Sequence, residues 1–171
     1  GASRSLQDTG CGRRASAAVT ERQVDIWEAA RNADAVVITT NGSIKSNRAA
    51  VMGRGVALEA KEKWPRLPHM LGQWLHLSDR AGPHLFVVPP RSLSNQPFAI
   101  VCFPVKFEWN MHAAPVLVAR SLKELVDSAE MFDWKRIVLP RPGCGNGGLD
   151  WDRDVKPLCA ELDDRFLVVH K

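Results

Sequence analysis

Four glycines crowd into six residues at Gly143, Gly145, Gly147 and Gly148, directly after the apolar run at 137–139 and just ahead of Leu149, Asp150 and Trp151. Glycine permits positive φ and lets a ligand approach bare backbone N–H groups. A loop of this composition between a strand and a helix start therefore makes a cradle for a diphosphate. Cys144 and Asn146 complete the segment. A second loop of the same kind, Gly53, Arg54, Gly55 and Val56, stands before the helical run at 56–64. Lys106 ends another apolar run, at 98–105, and Asp25 stands where a helix N-cap would, with Ile26 behind it.

These groups need elements to carry them. Residues 19–24 alternate loosely as a first strand, and 35–40 form a continuous β-branched run that suits a strand covered on both faces. Asn41 follows at once. A helix is expected over 56–64, stopped by Pro65, and a short amphipathic one over 68–77. Residues 84–88 and 98–105 read as strands, and Val118, Leu122, Leu125, Val126 and Ala129 recur at the spacing of a four-turn helix. A strand at 137–139, a helix opened by Asp150 or Trp151, and a strand at 166–170 close the chain. Strands alternating with helices imply an α/β fold: a three-layer α/β/α sandwich on a mostly parallel mixed sheet, with the ligand at the carboxyl ends of the strands. Asn41, Lys106 and the Gly143 loop all fall at such ends.

Composition narrows the classes. The net charge is +4, of which Arg4, Arg13, Arg14 and Arg22 against Asp8 and Glu21 supply +2, so the body is close to neutral and poorly suited to tracking plain nucleic acid. Cys11, Cys102, Cys144 and Cys159 include no C-x-x-C pair and no zinc spacing, so reduced structural thiols and no metal are expected. No stretch resembles a signal peptide or a membrane span, which points to a cytoplasmic monomer. Residues 1–18, rich in Gly, Ser, Ala and Arg, read as a disordered tail or an expression remnant, and 19–171 as one domain.

The chain resembles a macrodomain, the ADP-ribose-binding fold, over residues 22–171. The resemblance is carried by Val24-Asp25-Ile26, Thr39-Thr40-Asn41, Val51-Met52-Gly53-Arg54-Gly55-Val56 and Gly143-Cys144-Gly145-Asn146-Gly147-Gly148-Leu149-Asp150-Trp151. With Phe103-Pro104-Val105-Lys106, the last of these is similar to the branch that holds the terminal ADP-ribose glycohydrolase and the antitoxin macrodomain acting on ADP-ribosylated DNA. The resemblance implies that Asp25 accepts the adenine amine and that Ile26 offers a backbone contact beside it. It implies that Gly53, Arg54, Gly55 and Val56 form one phosphate loop and that Gly143, Cys144, Gly145, Asn146, Gly147 and Gly148 form the other. Asn41 or Asn47 would face the distal ribose. Lys106 would attack or polarise the anomeric carbon, for which an amine must be partly neutral.

The expected function is therefore hydrolysis of the glycosidic bond between ADP-ribose and a nucleic-acid base or a protein carboxylate, with no cofactor; a cognate ADP-ribosyltransferase toxin is the partner implied. The alternative is a non-catalytic ADP-ribose reader, because Gly147 replaces the acid that assists the lysine in the glycohydrolase. Asp150 could stand in only if its loop curls back. Trp109 and His112 are candidate substrate contacts, against the plainer reading that they pack a loop, and Trp27, Trp64, Trp74, Trp134 and Trp151 read as packing residues. The loops at 91–96 and 107–112 are expected to shape the acceptor end of the pocket.

Overall fold

The computed structural model describes residues 19–77 and 82–171. The expectation for residues 1–18, and Cys11 with it, lies outside this range. Six strands form one sheet in the order β1-β6-β5-β2-β4-β3: β1 (Thr20–Gln23), β2 (Ala35–Asn41), β3 (Phe86–Val88), β4 (Ala99–Lys106), β5 (Ile137–Pro140) and β6 (Phe166–His170). All pairings are parallel except β3 with β4, so five strands end on one rim.

Helices cover both faces, and the alternation along β2 shows how. Ala35 and Val37 face a core shared with α4 (Pro115–Phe132), while Val36 and Ile38 face the opposite one. That opposite layer holds α1 (Ile26–Ala29), α2 (Gly55–Lys63) and α3 (Leu67–His76). Val36, Val37 and Ile38 have no exposed surface, and each such side chain contributes about 1.5–3 kcal/mol of hydrophobic stabilisation. Trp64 packs edge-on against both Trp27 and Phe98, at ring-centroid distances of 5.5 and 6.1 Å.

Two local features depart from expectation. The segment opened by Asp150 is not an α-helix: Trp151–Val155 is a π turn that passes into a 3₁₀ helix at Lys156–Glu161. Pro157 sits at the junction, where its missing N–H and its ring oppose a regular α-helix. The second feature lies in β4, where Pro104 has no N–H to give to the ladder. The β2–β4 register slips between Thr40 and Asn41, and the slip sets Asn41 opposite Lys106.

Candidate functional site

A cavity of about 650 Å³ opens at the rim, within the size range of small-molecule sites. Every parallel strand reaches it: Val24 just past β1, Thr39 to Asn41 of β2, Val105 and Lys106 of β4, Pro140 of β5, and Val169 and His170 of β6. Two loops close its mouth. Arg54 is the N-cap of α2 but makes no side-chain capping bond, so the first-turn N–H groups of Gly55, Val56 and Ala57 are left for another acceptor at a cavity wall. Opposite them, residues 143–147 line the cavity, and 145–147 coil as a 3₁₀ turn. A Cβ added to Gly55 would lie 3.5 Å from Asn146 Nδ2, so the loops face each other at close range. Gly145 has φ +68°, and a Cβ there would meet nothing within 4 Å; backbone conformation, not space, demands glycine.

The free helix end is thus that of α2. Sequence reasoning assigned a helix dipole to the glycine loop from the segment that follows it, but the start of that segment is occupied. Asp150 accepts from Arg153 N at 2.8 Å and its own N–H donates to Asp154 at 2.8 Å. Asp150 is exposed and outside the cavity lining, so the loop does not curl back to bring it to Lys106.

The other predicted residues separate clearly. Asp25 caps α1, accepting from Trp27 N at 3.1 Å and Glu28 N at 3.3 Å, while its neighbours Val24 and Ile26 line the cavity. Asn41 lines it too, held by bonds from its Nδ2 to Val51 O and from Ser43 N to its Oδ1. Asn47 does not: its Oδ1 accepts from Ala49 N within its own loop. Lys106 is half-buried at the cavity edge, and its Nζ donates to Trp109 O at 3.4 Å. Trp109 lines the cavity, but His112 lies behind Gly148, where an added Cβ would stand 2.6 Å from its Nδ1. Gly147 is buried against Ala113, and an added Cβ would come within 2.9 Å of Ala113 Cβ, so the loop as folded has no room for the acid of the glycohydrolase branch. Gly148 is the αL cap of the 3₁₀ turn rather than a lining residue.

One further expectation needs correction. The loop at 91–96 is not part of the cavity: it seals the edge of α2 and α3, where Ser94 Oγ accepts from Trp64 Nε1 and Arg66 donates to the carbonyls of Ser92 and Leu93. Cys144 fits the expected structural thiol: burial pushes its pKa up, against a smaller downward pull from Arg141. Cys102 and Cys159, pushed up to about 12 by burial, are likewise inert.

Sequence reasoning missed the residues that only the fold brings in. Glu59 of α2 lines the cavity and accepts from Trp27 Nε1 at 2.7 Å. Arg141 lines it beside the glycine loop, lies over the Trp151 ring at 5.2 Å, and has a buried Nε with no partner among the described residues. Arg141 also donates to Glu21, which accepts as well from Trp151 Nε1 and pairs with Lys156 at 2.9 Å. This cluster ties edge strand β1 to the base of the loop.

The Lys156 hydrogen bond, the leading cause, holds the Glu21 carboxyl below its ordinary 4.5, with Arg141 and Trp151 adding to it against the opposing effect of burial. The folded pKa lies below the unfolded one, so this stabilisation is full above about 4.5 and is lost as pH falls through the folded value. Thermal melts should show Glu21→Gln lowering Tm at neutral pH and flattening the decline below 4.5. An acid limb identical to wild type would contradict this role.

No family model matches the chain. Over 105 residues it is 33% identical to the DNA ADP-ribosyl glycohydrolase of Thermus aquaticus, covering 61% of this chain and 29% of that protein. Over 106 residues it is 28% identical to the DNA ADP-ribosyl glycohydrolase of Mycobacterium tuberculosis, covering 62% and 30%. The chain thus spans under a third of the length of these curated relatives. The macrodomain of Thermus aquaticus DarG superposes with a TM-score of 0.68 at 27% identity, over 90% of this chain and 97% of that one. The chain has the macrodomain fold. The macrodomain of Mycobacterium tuberculosis DarG agrees, with a TM-score of 0.70 at 25% identity over 88% and 95%. A third macrodomain-type match, at the level of fold alone, is Thermosipho africanus DarTG in complex with ADP-ribose: TM-score 0.71, 17% identity, 91% of this chain and 42% of that one. Among the described residues, no helix of this macrodomain fold is long and apolar enough to cross a membrane.

Proposed function

We propose that this chain binds ADP-ribose in the rim cavity and hydrolyses the glycosidic bond joining it to a DNA base. The observation that carries the reading is the pair of facing loops, uncapped α2 and residues 143–147, across one cavity from Lys106, with Asn41 opposite Lys106 in register. The diphosphate fits between the loops, and adenine lies toward Asp25, Ile26 and Val169. The distal ribose then reaches Asn41 and Lys106. The names of the relatives similar to this chain favour DNA over RNA or protein as acceptor.

In the reaction, the bond from the anomeric carbon to the base breaks and the base leaves with the electron pair and takes up a proton. A water oxygen closes onto the carbon and loses a proton. Binding of adenosine and diphosphate, remote from the reacting carbon, fixes its orientation, which converts binding energy into rate. Lys106 acts at the anomeric carbon, and Asn41, held by Val51 and Ser43, orients the ribose. A cognate ADP-ribosyltransferase toxin, acting on the same DNA in the cytoplasm, is the partner this reaction implies.

One observation favours a reader instead: Glu59 is the sole carboxylate among the described lining residues, and it is engaged with Trp27. Incubation with ADP-ribosylated DNA, RNA and protein separates the readings. Release of ADP-ribose from DNA is expected, and release from none of the three leaves the reader.

A further inference from the structure

A second cleft, of about 480 Å³, adjoins the cavity. Val51 and Trp109 line both, and Gly42, Ser43, Ile44, Lys45 and Glu108 complete the second. Trp109 is 55% exposed, yet its backbone is fixed at both ends: its N–H donates to Ser43 Oγ at 2.9 Å, and its carbonyl accepts from Lys106 Nζ. The floor is tightly packed: Gly42 N donates to Lys106 O at 3.1 Å, and a Cβ on Gly42 would stand 2.5 Å from Phe107 O.

We propose that this cleft holds the acceptor strand, a single-stranded nucleic-acid segment in which a nucleotide beside the modified one stacks on the Trp109 indole. The inference rests on the hydrolase reading above and adds the path of the substrate. An acceptor bonded to the anomeric carbon at Lys106 has to leave the cavity past a wall, and the Trp109 backbone is what Lys106 touches. An exposed indole carried on a backbone pinned at both ends is a stacking platform for any base, and it serves only a base freed from its duplex partner. Among the described residues lining the cleft, Lys45 is the one cation and suits a strand phosphate, with Glu108 the one carboxylate, so the phosphate contact is single and local to Lys45. Contact is local to a few nucleotides.

The test compares free ADP-ribose with an ADP-ribosylated oligodeoxynucleotide, single-stranded or annealed. Base stacking of this kind implies that Trp109→Ala weakens the single-stranded substrate about tenfold or more beyond any change for free ADP-ribose, and that Trp109→Phe recovers most of the loss. Lys45→Ala should leave free ADP-ribose unaffected and reduce the salt dependence of oligonucleotide binding. The annealed substrate should bind more weakly than the single strand. Equal losses for ADP-ribose and oligonucleotide, no loss for either, or a preference for an ADP-ribosylated protein would overturn the proposal. Failure of wild type to bind ADP-ribose at all would instead sink the hydrolase reading on which it rests.

Discussion

Lys106→Ala lowers the single-turnover rate of ADP-ribose release by about 10²–10³-fold, the usual worth of one positioned catalytic group, while ADP-ribose affinity changes by less than about threefold. The asymmetry follows from position. The Lys106 amine sits at the cavity edge and donates to a loop carbonyl, whereas the groups proposed to hold the anion are backbone N–H groups on other elements. Truncation removes the amine and leaves the β4 backbone to keep Asn41 in register. Lys106→Arg fails to restore the rate, because a broad planar guanidinium cannot take the place of the compact amine at the anomeric carbon. Quench-flow release assays and calorimetry on the same samples check both halves. A variant that loses affinity and rate in equal proportion would make Lys106 a binding residue.

The largest effect on affinity belongs to the loop. Gly145→Glu weakens ADP-ribose binding about hundredfold, equivalent to about 2.7 kcal/mol. Two causes combine: a side chain at φ +68° costs about 1–2 kcal/mol, and a carboxylate in open space at the cavity wall repels the diphosphate. Gly145→Ala isolates the first cause and gives a smaller loss. Because nothing lies within 4 Å of the added Cβ, the core stays intact, and Tm falls by roughly 2–8 °C for strain of that size in a chain this long. Isothermal titration with parallel melts measures both. Collapse of the fold by Gly145→Ala would show that the loop supports the core rather than the ligand.

The sheet was legible because its strands are local signals. Ala35 to Thr40 and Phe98 to Val105 are apolar runs that only a strand covered on both faces accounts for, and the helices between them follow from 3.6-residue spacing. The site was legible where glycine punctuates a strand end. What failed was whatever depends on contacts distant in sequence. Asn47 and Asn41 look alike in the chain, and only the fold shows one bonded within its own turn and the other at the cavity. His112 looks as chemical as Trp109 until Gly148 is seen packed against it. Arg141 and Glu59 carry no local signature, because their partners Glu21 and Trp27 lie more than thirty residues away. The π and 3₁₀ turns after Trp151 were missed although Pro157 was a readable warning.

A crystal structure of the chain with ADP-ribose bound tests the central claim most directly. The account predicts the diphosphate between the first turn of α2 and residues 143–147, and the anomeric carbon beside Asn41 within contact distance of Lys106 Nζ. A ligand whose distal ribose lies away from β4, with Lys106 turned to solvent, would contradict it.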